Sequence, residues 1–207
     1  MGIYGERVLP RLLNVACGGK ELQALRRRVC GGLVGEVVEV GFGTGHNVPF
    51  YPPSVTRVAA VEPADLGWRL AEKRLAASSV LVERSGLDGQ ALPFEDNSFD
   101  MAVSTWTLCT IADVGTALGE LRRVLRPGGS LHFLEHGLAP AEDEKVRRWQ
   151  RRLDPWQQRL VGGCHLTRPI VELLTGAGFR VEAVDVFYEQ GAPKFGGATS
   201  LGVAVSP

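Results

Sequence analysis

The sequence predicts an α/β fold on a doubly wound, mostly parallel sheet of seven strands, the last two forming an antiparallel pair. Three observations carry this prediction. Short β-branched runs alternate with helical stretches from about residue 37 to residue 177. The first run, Val37-Val38-Glu39-Val40, passes straight into a glycine-rich bend, Gly41-Phe42-Gly43-Thr44-Gly45. Two further apolar runs, Phe179–Tyr188 and Ser200–Val205, read as strands at the C-terminal end.

The elements follow in order. Residues 20–34 read as a helix with Leu22, Leu25 and Val29 on one face, ended by Gly31 and Gly32. Val37–Val40 is a buried first strand. Val55–Glu62, bounded by Pro52-Pro53 and Pro63, is the second; residues 64–78 are a helix and Val80–Glu83 the third strand. Phe99–Ser104 is the fourth. Residues 113–126 form a helix with Leu118, Leu121 and Leu125 at helical spacing, stopped by Pro127-Gly128-Gly129 before a fifth strand at Ser130–Glu135. Residues 140–164 break the rhythm. Trp149, Leu153, Trp156 and Leu160 share one helical face, expected to pack on the sheet and in part line a pocket, with Pro155 kinking or splitting the helix. A helix at 167–177 follows. The expected organisation is one domain over residues 1–207, with residues 1–34 as an N-terminal helical cap and 140–165 as a helical insertion over the site.

Composition narrows the function classes. The chain has 207 residues, enough for one α/β domain with a full core, and 44% hydrophobic with 22% charged residues is ordinary globular usage. Lys and Arg number 23, as do Asp and Glu, so no global field draws nucleic acid or anionic lipid. The arginine runs (Arg26–Arg28, Arg147, Arg148, Arg151, Arg152) lack interleaved aromatics, and no nucleic-acid partner is expected. No stretch approaches the roughly 18–20 apolar residues of a spanning helix. No secretion signal opens the sequence, so a cytoplasmic location without stable membrane insertion is expected, as a monomer or homodimer. Cys17, Cys30, Cys109 and Cys164 stand without C-x-x-C spacing and read as reduced thiols.

Glycines in the bend let the backbone turn and approach a ligand with no Cβ in the way. The spacing is G-x-G-x-G followed by His46, not the G-x-G-x-x-G of a dinucleotide site, and no Gly-Lys-Ser/Thr marks a phosphate loop. A ligand with an amino-acid end and no pyrophosphate suits it: Glu39 attracts an α-amino group, directly or through water, and glycine N–H groups face a carboxylate. A plain strand–helix turn would give the same glycines. Glu62 favours the ligand, because it ends the second strand 21 residues after Gly41, where a carboxylate accepts from both ribose hydroxyls.

Glu39-x-Gly41-x-Gly43-x-Gly45, then Glu62, then Asp88-Gly89-x-x-Leu92-Pro93-Phe94 with Ser98-Phe99-Asp100, then Leu121 through Pro127-Gly128-Gly129 resembles the ordered motifs of class I S-adenosylmethionine-dependent methyltransferases, in the group often called type 11. The resemblance spans about residues 36–136 and implies a Rossmann-like fold, with S-adenosylmethionine as cofactor and S-adenosylhomocysteine as product. It implies that Asp88 meets the adenine amino group, with backbone near Gly89 at the ring and backbone at Thr105 and Trp106 near the methionine part. Asn47 and Pro63, beside these motifs, complete the expected cofactor set. Trp106 either walls the reaction centre or belongs to the core.

His136 is the candidate catalytic residue, a base or orienter at the end of the fifth strand; the alternative is a hydrogen-bonded structural histidine. Zinc through His132, His136, Cys164 and His165 lacks the customary spacing, and no metal is expected. Glu135-His136, Leu153-Asp154-Pro155-x-x-Gln158, Gly163–Arg168 and Leu108-Cys109 resemble the small alkyl-thiol S-methyltransferases of animal endoplasmic reticulum and their bacterial relatives, without the membrane-anchoring helix of that group. The expected reaction is methylation of a small apolar acceptor, a thiol first. O-, C- or N-methylation of a quinone-like, natural-product or phospholipid acceptor is the alternative, and a cofactor-binding module without turnover the non-enzymatic one. Tyr4, Trp106, His136, Cys164 and Arg168 are the expected substrate-side residues. Cys164 is equally readable as a buried small residue and Arg168 as a partner of a loop carboxylate. Thr167 is a candidate helix cap.

Overall fold

A computed structural model describes residues 8–207; Tyr4 lies outside the described residues. In chain order the elements are α1 (Leu9–Ala16), α2 (Lys20–Cys30), β1 (Gly35–Val40), β2 (Val55–Val61), α3 (Asp65–Ala76), β3 (Leu81–Gly86), β4 (Phe99–Thr105), α4 (Val114–Val124), β5 (Leu125–His136), α5 (Glu144–Leu160), α6 (Ile170–Gly176), β6 (Arg180–Tyr188), α7 (Lys194–Gly197) and β7 (Ala198–Val205). The strands form one seven-stranded sheet in the order β3-β2-β1-β4-β5-β7-β6. Pairing is parallel from β3 to β5, while β7 runs antiparallel between β5 and β6. This is the predicted architecture.

Alternation along the strands explains why both faces are covered. Val38, Val40, Ala59 and Val61 enter one apolar cluster with Leu118, Leu121 and Leu174, whereas Val37, Val58, Ala60 and Val103 enter another with Val29 and Ala71. Successive side chains of one strand feed opposite layers, so the central strands read as continuous apolar runs. The chain order reverses between β1 and β4, which lie side by side. The loops after these two strands leave in opposite directions and open a crevice at their carboxyl ends.

Several boundaries differ from expectation. The helix α4 stops at Val124 and β5 begins at Leu125, so Pro127-Gly128-Gly129 lies inside the strand; Phe99 pairs with Leu125, and a register irregularity follows before Met101 pairs with Ser130. The helix α6 starts at Ile170 with Pro169 as its N-cap residue, three residues later than predicted, and Thr167 does not cap it. Pro155 leaves α5 undivided from Glu144 to Leu160.

The larger correction concerns the outward face of α5. Trp149, Trp156 and Leu160 are 55%, 61% and 59% exposed, so the apolar stripe does not pack on the sheet. The helix is held by its polar side. Gln150, fully buried, accepts from the Ala139 N–H and donates to the carbonyls of Gly137 and Phe195 at 2.9, 3.0 and 3.3 Å. Arg147 Nε adds a hydrogen bond to the Ala139 carbonyl at 2.8 Å. Fixed backbone acceptors outside the helix outweigh the apolar periodicity within it.

Candidate active site

The bend after β1 sits at the switch point, and its three glycines do different work. All have positive φ: Gly41 76°, Gly43 60° and Gly45 74°. A Cβ on Gly41 would overlap the Thr107 side chain from the loop after β4, and one on Gly45 would crowd Ala71 and Phe42. A Cβ on Gly43 would meet only the Gly41 carbonyl, at 3.8 Å. Gly41 and Gly45 let the protein close on itself; Gly43 leaves its space open to a ligand.

Glu62 follows β2, and both carboxylate oxygens are pinned. Oε2 accepts from the Gly43 N–H at 2.6 Å and Oε1 from the Ala64 N–H at 2.7 Å. Burial pushes its pKa up, against those two hydrogen bonds and the charge of Arg84. The carboxylate is thereby fixed over Gly43, its remaining lone pairs available to hydroxyl donors.

Glu39 is more deeply enclosed, at 1% exposure. Asn47 Nδ2 donates to it at 2.9 Å and the Tyr51 hydroxyl donates to its other oxygen. Burial raises its pKa to about 7, against the pull of Tyr51, Arg26 and Asn47. The charge therefore acts across the loop as a field, with little surface for contact. Asn47, also fully buried, donates to Thr105 Oγ1 at 3.2 Å and accepts from Arg26 Nη1 at 2.7 Å. Arg26 is the residue the sequence reading missed. Its position amid an arginine run suggested solvent, yet it is 5% exposed, lies 4.7 Å from the Trp106 ring centroid and keeps Nε without a partner. Burial lowers its pKa.

Trp106 has a left-handed backbone, φ 50°, and turns away from β4. Its N–H reaches the Leu134 carbonyl at 2.8 Å and its indole Nε1 donates to Glu189 at 3.1 Å. It thus links the β4 corner to the loop after β6. Asp88 is exposed and accepts from the Gln90 backbone N–H at 2.8 Å, and a Cβ on Gly89 would lie 2.7 Å from Val40, so this turn rests on the end of β1. Pro63 is exposed, its carbonyl accepting from Arg84 at 3.1 Å. Open space over Gly43, a pinned carboxylate at Glu62 and the buried negative field of Glu39 fit a nucleoside bearing a cationic amino-acid end.

Across the crevice a second group forms. His136, at the end of β5, is 5% exposed; its Nδ1 lies 3.5 Å from Cys164 Sγ, and its Nε2 is buried without a partner. Cys164 Sγ lies 3.5 Å from Cys109 Sγ. The cysteines that look scattered in sequence therefore meet, two of the four beside the predicted catalytic histidine. His132 instead serves packing, with Nδ1 2.9 Å from the Val29 carbonyl.

This corner is braced on every side. Glu135, fully buried, accepts from Ser104 Oγ at 2.6 Å and from the N–H groups of Thr107 at 2.9 Å and Cys109 at 3.4 Å. Asp154 accepts from the Leu166 N–H at 2.6 Å and from Gln158 at 2.7 Å, and the His165 N–H reaches the Cys109 carbonyl at 2.8 Å. Among the described residues Arg168 pairs with no carboxylate. It is 8% exposed and clasps the carbonyls of Leu108 and Ile111. Nothing in the local pattern of residues 135, 154 or 168 marks these duties; only the Glu135-His136, Asp154-Pro155 and Gly163–Arg168 segments of the resemblance pointed there.

Comparison with known proteins fits this geometry. Residues 38–133 match the family described as Methyltransferase domain. Thiol S-methyltransferase TMT1A of Homo sapiens is 36% identical over 148 residues, 69% of this chain and 59% of that protein. Ubiquinone/menaquinone biosynthesis C-methyltransferase UbiE of Burkholderia mallei (strain SAVP1) is 30% identical over 104 residues, 49% and 43% of the two chains. The chain spans little more than half the length of the thiol S-methyltransferases it matches. A Bacillus halodurans C-125 structure assigned as a methyltransferase superposes with a TM-score of 0.73 at 18% identity, over 89% of this chain and 98% of the other. Geranyl diphosphate methyltransferase in complex with SAM gives 0.69 at 13% identity, over 100% and 92%. Both share the fold. Residues 38–133 thus match a methyltransferase domain, on a fold shared with solved methyltransferases.

Proposed function

We propose that this protein transfers a methyl group from S-adenosylmethionine to a small, apolar thiol, releasing S-adenosylhomocysteine and a methyl thioether. The observation that carries the reading is that the buried Cys109–His136–Cys164 corner adjoins the glycine bend, linked to it by Thr107, whose N–H donates to Glu135 at 2.9 Å and whose hydroxyl donates to the Gly41 carbonyl at 3.4 Å. When bound, the cofactor supplies a sulfonium-activated methyl group, so the protein's tasks are alignment, exclusion of water and removal of the acceptor proton.

The residues divide these tasks. Glu62 holds the ribose hydroxyls, and backbone at Gly43, Thr105 and Trp106 receives the amino-acid end in the field of Glu39. Asn47 and Arg26 keep that field fixed. Asp88 and Gly89 bound the adenine. His136 acts on the acceptor, as base or orienter, in a corner lined by thiols and carrying no exposed charge. Soft sulfur surroundings suit a thiol better than an ammonium or phosphate acceptor. The similarity to thiol S-methyltransferases points to the same acceptor class.

Incubation with S-adenosylmethionine and panels of alkyl thiols, quinols, phenols and amines tests the reading, with S-adenosylhomocysteine and methylated products measured by mass spectrometry. Methyl thioether formation is expected. Turnover of quinols or phenols with silence across all thiols would replace the acceptor, and cofactor binding without product in any panel would leave a binding module.

A further inference from the structure

The corner beyond the cofactor cradle has the dimensions of a metal site. The candidate ligand atoms of Cys109, His136 and Cys164 all lie within 4.8 Å of one another, and two of the edges measure 3.5 Å. In a tetrahedral zinc site, with Zn–S near 2.3 Å and Zn–N near 2.0 Å, neighbouring ligand atoms stand about 3.5–3.8 Å apart. Two thiols and an imidazole therefore already occupy positions close to one face of such a tetrahedron. Among the described residues the His136 ring makes no hydrogen bond to backbone or carboxylate, so Nδ1, which faces the Cys164 thiol, can present its lone pair to a metal.

We propose that Cys109, His136 and Cys164 bind one zinc ion, leaving its fourth position to the acceptor sulfur. The first half stands on geometry alone; the second rests on the thiol reading above. Three protein ligands with one open position is the arrangement of catalytic rather than structural zinc. The backbone of both cysteines is pre-positioned by the Glu135, Asp154 and Arg168 contacts described above, so little ordering remains to be done on metal entry.

The balance closes without a side-chain base. Zinc entry displaces the two thiol protons, giving a site of no net charge from two thiolates, one neutral imidazole and the dication. An acceptor thiol then binds through sulfur and loses its proton to water. Its sulfur lone pair forms the bond to the methyl carbon as the methyl–sulfonium bond breaks, and thioether and S-adenosylhomocysteine both leave neutral. His136 is in this scheme the orienter, acting through the metal.

The test uses the full chain, reduced and stripped of metal, titrated with Co(II) as an optical stand-in for zinc. About one Co(II) per chain is expected, with thiolate-to-cobalt charge transfer and the intense visible bands of tetrahedral coordination, all displaced by zinc. Cys109→Ser and Cys164→Ser should each weaken binding by at least about tenfold, whereas Cys17→Ser should leave the bands unchanged. Because a buried-cysteine variant can fail to fold, circular dichroism and calorimetric cofactor binding accompany each titration. Absence of the bands in wild-type protein that still binds S-adenosylmethionine overturns the metal site and leaves the methyltransferase reading intact. Addition of a small alkyl thiol should shift the visible bands; bands that form but do not move overturn the open position.

Discussion

The two sides of the crevice are built by opposite means. On the cofactor side, charges and amides are committed to one another: Glu62 to two backbone amides, Glu39 to Asn47 and Tyr51, Asn47 in turn to Arg26 and Thr105. Most of these partners lie close in sequence, on the loops after β1 and β2. On the acceptor side, residues 109, 136 and 164 arrive from three distant segments and meet through soft contacts, with one ring nitrogen uncommitted. A cradle fixed by charge-assisted hydrogen bonds holds a ligand of fixed shape. An unsaturated apolar corner admits different small acceptors, and that contrast predicts which substitutions damage binding and which damage turnover.

The largest effect should come from Glu62→Ala. It removes the two charge-assisted hydrogen bonds that the carboxylate offers the ribose hydroxyls, worth about 1.5–3 kcal/mol each, so cofactor affinity should fall by roughly 100-fold or more in calorimetry. A change under about fivefold would place the ribose elsewhere and break the comparison. His136→Ala comes next. The rate constant kcat should drop by about 100-fold while the Kd for the cofactor moves by less than about threefold, a split that a merely structural histidine would not produce.

A smaller effect follows from Glu39, faced by Arg26, Tyr51, Cys30 and, at longer range, Glu62. Its folded pKa of about 7 lies above the ordinary 4.5, so folding takes up a proton in that window and the residue's contribution to stability falls as pH rises through it. A cationic amino-acid end favours the ionised form. Cofactor binding below pH 7 should therefore release a proton, and affinity should climb by at most about tenfold per pH unit from 5 to 7 and level off above. Calorimetry in buffers of different ionisation enthalpy checks this, and Glu39→Gln should flatten the profile. A slope that survives in Glu39→Gln would assign the proton to another group. The smallest effect belongs outside the crevice. Trp149→Gln and Trp156→Gln should each change unfolding free energy by less than about 0.5 kcal/mol in urea titrations, because neither ring is enclosed. A loss above about 2 kcal/mol would show that the stripe packs after all.

How much of this was legible follows the same divide. The succession of strands and helices, the glycine bend and Glu62 are written in local pattern, because a strand-ending acid and a loop without Cβ atoms each declare themselves within a few residues. Arg26 was hidden because charge in a run reads as solvated, and only its stacking on Trp106 and its hydrogen bond to Asn47 reveal otherwise. The meeting of Cys109 with Cys164 was hidden because they stand 55 positions apart, with two helices and a strand between them. The packing of α5 was misread for a third reason. Periodicity reports which face is apolar, not which face is turned inward, and Gln150 decided that by reaching backbone carbonyls outside the helix.

The outward ridge of α5 also divides the four tryptophans by environment. Trp149 and Trp156 face water, whereas Trp106 is stacked on Arg26 and Trp68 lies 5.1 Å from the Phe42 ring, next to the glycine bend. Intrinsic fluorescence accordingly contains two separable populations. Iodide should quench the water-facing pair on the helix, and the shielded pair that remains should then report on ligand occupancy without any attached dye.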